Sequence, residues 1–211
     1  MNAIIKQRRL IYVFLLLALF SECKENNAPD SKMDHSQHTA PGILSGYADS
    51  VNAGLISVDT MKGSPIRTAM ANIGESHIHI EYGSPGVKGR IIWGGLVPYG
   101  QVWATGAHHA TSIQFSKEVA IGNKIIPAGK YAFFTVPGPE NWIIIINKNF
   151  EQHLADNYKQ EEDLVRLTIK PEITGSITQR LSFLVNETGN GKGVIIFKWE
   201  KIGITVPVNT K

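Results

Sequence analysis

The chain has 211 residues, 43% hydrophobic and only 18% charged, with 20 glycines; this fills one domain plus a tail, leaves two full domains crowded, and excludes a coiled coil or a wholly disordered chain. The formal charge of +3 falls to +1 without Met1 to Glu22, which leaves 18 basic against 17 acidic side chains. A nearly neutral remainder with scattered Lys and Arg gives no electrostatic reason to bind DNA, RNA or anionic lipid, so no nucleic-acid partner is expected.

Lys6, Arg8 and Arg9 precede eleven uninterrupted apolar residues, Leu10 to Phe20. That run is too short to span a bilayer comfortably and reads as the apolar region of a signal peptide over 1–22. Cys23 is the only cysteine, so an intrachain disulfide and a multi-cysteine zinc site are excluded. Its place directly after the apolar run predicts the lipid-accepting cysteine of a bacterial lipoprotein, although Glu22 stands where a small residue is expected. Ordinary cleavage nearby, giving a secreted chain, and an uncleaved anchor are the alternatives. The expected address is the bacterial cell envelope, with the chain held on the membrane by its lipid and facing the periplasm or the cell surface.

Residues 23–63 are polar and broken by Pro29, Pro41 and several glycines, and read as a flexible tether. Within them Met33, His35 and His38 offer a thioether and two imidazoles to copper or zinc, or are simply solvated linker.

From residue 64 onward the reading is a single β-domain to 211. Arg67 to Ile73 and Ser76 to Tyr82 flank Gly74 and Glu75 as a first hairpin. Alternation sends Ile78, Ile80 and Tyr82 to one face and His77, His79 and Glu81 to the other. Further strands are predicted over Thr111 to Ser116, Glu118 to Ile121 and the run after Gly129. Trp142 to Ile146 is almost wholly apolar and fits a strand buried on both faces. A helix is predicted over Asn149 to Tyr158, where Asn149 and Gln152 have capping spacing and Phe150, Leu154 and Tyr158 recur at i,i+4. Strands resume at Leu164 to Lys170, Thr178 to Asn186, Gly193 to Glu200 and Ile202 to Val208. Gly189 to Gly193 lacks the phosphate-loop spacing and lies between strands, so it reads as a hairpin loop. About ten short strands without crossover helices predict an all-β, sandwich-like domain with one short helix.

Three chemical readings follow. His79 and Glu81, two apart on one strand face, are spaced to hold a divalent metal or pass a proton, and are equally ordinary residues of an exposed sheet face. The glycine- and alanine-rich loop from Trp103 to Thr111 presents His108 and His109. His153 is either a brace for the predicted helix or a further ligand. Ser64, Ser84 and Ser112 lack the elbow motif that activates a serine.

Ser64-Pro65, Ile80 to Tyr82 with Ser84-Pro85, Lys88 to Arg90, and Trp93 to Gly100 resemble a bacterial family known as domain of unknown function 2911. Val102-Trp103, Thr105 to Ala107, Ala110-Thr111, Pro127 to Tyr131 and Phe134 to Pro137 continue the likeness. Trp142, Ile145 to Asn147, Asp163, Arg166 and Trp199-Glu200 carry it to the C-terminal part. The family pattern places Arg, Asn and Glu where this chain has Ala104, His108 and His109, so roles for those side chains do not transfer. The resemblance implies a β-rich envelope domain over 64–208 and brings no activity with it. A histidine matching His108 and a segment like Gln152 to Asp156 in nearer relatives single out His79, Glu81, His108 and His153 as a cluster.

The leading expectation is therefore a domain that binds a small ligand, a saccharide or an envelope protein, with Tyr82, Trp93, Tyr99, Trp103 and His108 lining an exposed groove. The enzyme alternative is a metal-dependent hydrolase in which His79, Glu81, His108 and His153 hold zinc or copper. The third is a structural, protein-interaction domain.

Overall fold

The computed structural model describes residues 46–210; the predicted signal peptide, Cys23 and the Met33 to His38 segment lie outside them. β1 (Ile66–Ile73) and β2 (Ser76–Gly83) form the first hairpin, in register from Ile66 opposite Gly83 to Ile73 opposite Ser76. The turn works because Gly74 takes a φ of 54°, which a side chain resists. Along β2, Ile78, Ile80 and Tyr82 are buried, while His77 and His79 are half-buried and Glu81 exposed, as the period of two requires.

Next come β3 (Ser112–Phe115), β4 (Val119–Ile121), β5 (Lys124–Ile126), β6 (Gly129–Val136) and β7 (Trp142–Asn147). The chain ends on β8 (Asp163–Ile169), β9 (Glu172–Gly189) and β10 (Lys192–Asn209). One sheet is ordered β1-β2-β3-β6-β7-β8 and the other β5-β4-β10-β9. All their pairings are antiparallel. The domain is thus an all-β sandwich. β9 and β10 make a hairpin of 18 residues a side, closed by Asn190 and Gly191 at φ 53° and 69°. Two positive φ values in a two-residue turn match the right-handed twist of the flanking strands. The sequence reading divides this last strand at Lys201. The structure runs β10 straight through and takes up the irregularity as a bulge, with Glu200 at φ 55° and register shifts on both sides of it.

The sandwich core joins the inward faces of both sheets, including Ile80, Ile113, Phe133, Ile144, Phe197 and Val206. All four tryptophans of the chain meet here. Trp93 packs edge-on against Trp142 at 4.8 Å and Trp199 at 5.6 Å, and Trp103 stacks on Trp199 at 5.7 Å. This corrects the expected exposed groove. Trp103 exchanges backbone hydrogen bonds with Thr135 of β6, so it extends that strand and its ring joins the core. Tyr82 is only 2% exposed, its hydroxyl accepting the Phe183 N–H at 3.2 Å. Of the four aromatics, only Tyr99 stands in solvent.

A second apolar layer covers the outer face of the six-stranded sheet. Ala132 and Phe134 of β6 and Ile145 of β7 are buried under Ala104, Ala110, Phe150, Leu154, Ala155 and Tyr158. This is where the predicted helix over Asn149 to Tyr158 fails. The expected apolar face does pack, but the backbone is a run of turns with Leu154 at φ 48°. Side chains compete successfully for the backbone groups a helix would use. Gln152 donates to the Asn149 carbonyl at 2.7 Å and accepts the Asn157 N–H at 2.9 Å, and the Asn149 N–H donates to the Asn147 side chain at 2.8 Å.

The one α-helix among the described residues, α1 (Tyr47–Asn52), lies instead in the expected tether. Residues 46–63 are strapped onto the domain, and the anchor is Arg180 of β9. Its side chain is 0% exposed and pairs with Asp59 at 2.9 Å. The guanidinium also donates to the carbonyls of Met61 at 2.8 Å, Ser84 at 3.1 Å and Gly63 at 3.3 Å. Asn52 brackets the Arg180 backbone, donating to its carbonyl at 2.8 Å and accepting its N–H at 2.7 Å. Arg67 of β1 forms a second ion pair with Asp49 of α1. No helix among the described residues is long and apolar enough to cross a membrane.

Candidate functional site

The loop 104–110 and the turn segment 149–158 lie side by side, and each contributes to two clefts of different chemistry. Local backbone packing fixes their position. Gly83 ends β2 directly beneath the loop: a Cβ there would lie 2.2 Å from the Ala107 carbonyl oxygen, so only glycine lets the loop settle. The two segments then pair. The Ala110 N–H donates to the Gln152 carbonyl at 3.1 Å and the Leu154 N–H to the His108 carbonyl at 3.4 Å, which makes His109 and His153 antiparallel partners.

The first cleft, of about 450 Å³, is backed by Trp103 and Trp199. Leu96, Val97, Leu154 and Ala155 add apolar wall, and Ser64, Arg90 and Asp156 are its polar members. Arg90 is held in place by its own loop, donating to the carbonyls of Gly86 and of Val87. Many of the residues that carry the family resemblance gather here: Ser64, Pro85, Arg90, Val102, Trp103 and Trp199. The second cleft, of about 480 Å³, is the more polar of the two. Glu81, Lys130, His109, Glu151 and His153 line it, with Tyr82 and Phe150 beneath. Lys130 lies 5.2 Å from the centre of the Phe150 ring.

The four residues expected as a metal cluster are dispersed between these features. Glu81 and His153 share the polar cleft, whereas His79 and His108 do not line it. His79 sits between Met70 and Gln114 in the sheet, its Nε2 buried without a partner among the described residues. His108, at φ 71°, is exposed. Its neighbour His109 is the one that faces His153, a choice that sequence spacing leaves open and the cross-segment pairing decides. Among the described residues no group of three or more His, Cys, Asp or Glu is arranged to hold a metal ion. Of the expected groove residues, Trp103 backs the apolar cleft, Tyr82 underlies the polar one, and Trp93 and Tyr99 line neither.

The far end of the turn segment is pinned by a charged network that sequence reading missed. The Tyr158 hydroxyl donates to Asp163 at 2.7 Å, and Arg166 donates to both at 2.8 Å. Burial first, and the Asp163 carboxylate second, push the Tyr158 phenol up to about 12, with Arg166 opposing. A folded-state pKa above the ordinary value of about 10 means stability is fully present below about pH 10 and is lost as pH rises through about 12. Burial raises the Tyr82 and Tyr131 phenols as well, so an ultraviolet titration of the tyrosines is expected to show a late-ionising class that loses one member in Tyr158→Phe. That variant is also expected to flatten the fall in stability over this window.

A family model described as "Protein of unknown function (DUF2911)" matches residues 64–208. No curated protein and no solved structure matches the chain.

Proposed function

The chain belongs to the family of proteins of unknown function DUF2911, and we propose that its β-domain is an envelope-anchored binding module that takes a small ligand, a saccharide in the first instance, in the tryptophan-backed cleft. The cleft itself carries this reading. Its volume of about 450 Å³ falls in the range of small-molecule sites. Aromatic and aliphatic walls with a few polar groups, Arg90, Asp156 and Ser64, suit a ligand with an apolar face and a hydroxylated edge. The lipid at Cys23 and the polar stretch that follows it hold such a module on the membrane within the envelope.

Because all four tryptophans lie in or beside this core, intrinsic fluorescence reports occupancy without a label. Titration with glucose, N-acetylglucosamine and maltose is expected to give a saturable change with at least one of them. Ala155→Phe, which fills the cleft from a half-buried position, is expected to weaken that binding at least tenfold while leaving the fold intact. The absence of a saturable change with all three sugars, or equal affinity in the filled variant, refutes the reading.

A further inference from the structure

We propose that His109 and His153 form a two-imidazole site for a divalent transition-metal ion, Cu(II) foremost, in the polar cleft and separate from the ligand cleft. The hydrogen bonds that pair the two segments run from Ala110 to Gln152 and from Leu154 to His108, one residue to each side of the two histidines. That pattern defines a non-hydrogen-bonded antiparallel pair, in which the Cα atoms stand about 4.5 Å apart and the side chains leave the same face. Two imidazoles issuing from such a pair are placed to clasp one ion between them.

Three further features favour the metal over a merely exposed pair. His153 donates a hydrogen bond from Nδ1 to Asp156 Oδ2, 2.8 Å away. A carboxylate there selects the tautomer with the proton on Nδ1 and leaves Nε2 as the lone-pair donor, the outer-sphere arrangement common to histidine ligands. Both histidines are exposed and line one cleft, so an ion reaches them without opening the fold. That cleft also holds two carboxylates, Glu81 and Glu151, against the single ammonium of Lys130, which is drawn over Phe150. The field there favours a cation. Among the described residues no third His, Cys, Asp or Glu is grouped with the pair, so water or a bound molecule completes the coordination. Imidazole donors suit copper, nickel and zinc, and the order of divalent affinities puts Cu(II) first.

The test uses the full-length chain in detergent, with Cu(II) delivered from a glycine buffer. One tight equivalent per chain is expected, and its electron paramagnetic resonance spectrum should carry the splitting of two imidazole nitrogens. His109→Ala and His153→Ala should each weaken that equivalent more than tenfold and reduce the splitting to one nitrogen. A His35→Ala/His38→Ala double variant should keep it. Retention of the tight equivalent in His109→Ala, its loss in the His35/His38 double variant, or a wild-type spectrum without two imidazole nitrogens overturns the proposal. Where His109→Ala or His153→Ala misfolds, the wild-type spectrum and the His35→Ala/His38→Ala variant together still decide. Failure of the sugar titrations leaves this site untouched, since it shares neither lining histidine with the tryptophan-backed cleft.

Discussion

Arg180→Ala is expected to destabilise the domain by about 3–5 kcal/mol, the range for breaking one side of a buried ion pair. The reason is geometric: Arg180 is 0% exposed and Asp59 is 7% exposed, so removing the guanidinium strands a carboxylate and leaves the Met61, Gly63 and Ser84 carbonyls without that donor. For a chain of this size the midpoint of thermal unfolding should fall by ~10 °C. The loss should also be local before it is global, because α1 and residues 53–63 depend on this contact. Limited proteolysis is therefore expected to cut between residues 46 and 63 in the variant well before the sandwich opens. Replacing both partners, as Asp59→Leu with Arg180→Met, should recover much of the stability, since the uncompensated charge is gone. A single variant within about 1 kcal/mol of the parent would mean that the strap is held by something else.

Gly83→Ala is the second large effect, and it links stability to the site. The added Cβ would meet the Ala107 carbonyl oxygen at 2.2 Å and the Ala107 carbonyl carbon at 3.0 Å. Backbone cannot turn aside as a flexible side chain does, so the loop must lift. Overpacking of this kind costs about 1–3 kcal/mol, read as a shift in urea midpoint at unchanged slope. Because the same loop carries Ala104, Gly106 and Ala107 on one cleft and His109 on the other, both sugar and Cu(II) binding are expected to weaken together in this variant. Normal stability with both activities intact would contradict the placement of the loop.

What the sequence discloses here follows physical locality. The alternation of Ile78, Ile80 and Tyr82 against His77, His79 and Glu81 is set by neighbouring residues, and the structure has it. Gly74 and the Asn190-Gly191 pair mark turns whose backbone demands are equally local. The two-sheet, antiparallel architecture follows from many short strands without crossover helices, and the family likeness extends over the matched residues. Non-local features stay hidden. Arg180 reads as one polar residue in a strand, and its partner Asp59 is 121 positions away. Phe150, Leu154 and Tyr158 do cover a common surface, yet spacing alone cannot tell a helix from turns that Asn149 and Gln152 hold by side-chain hydrogen bonds. Trp93 and Trp103, set among glycines, look like surface residues until the bridge from Trp103 to Thr135 draws that part of the loop into the core. Between His108 and His109 the choice depends on which one faces His153, and no single segment contains that information.

The tryptophans also supply the most direct test of the central claim. With four of them in the chain, a nitrogen-15 correlation spectrum should hold four indole N–H signals. Addition of the best-binding sugar is predicted to shift the Trp103 and Trp199 indole signals in proportion to occupancy, together with the amides of Ala155 and Leu96 on the opposing walls. Shifts confined to the residues around Glu81, His109 and His153, with the Trp103 and Trp199 signals unmoved, would contradict it.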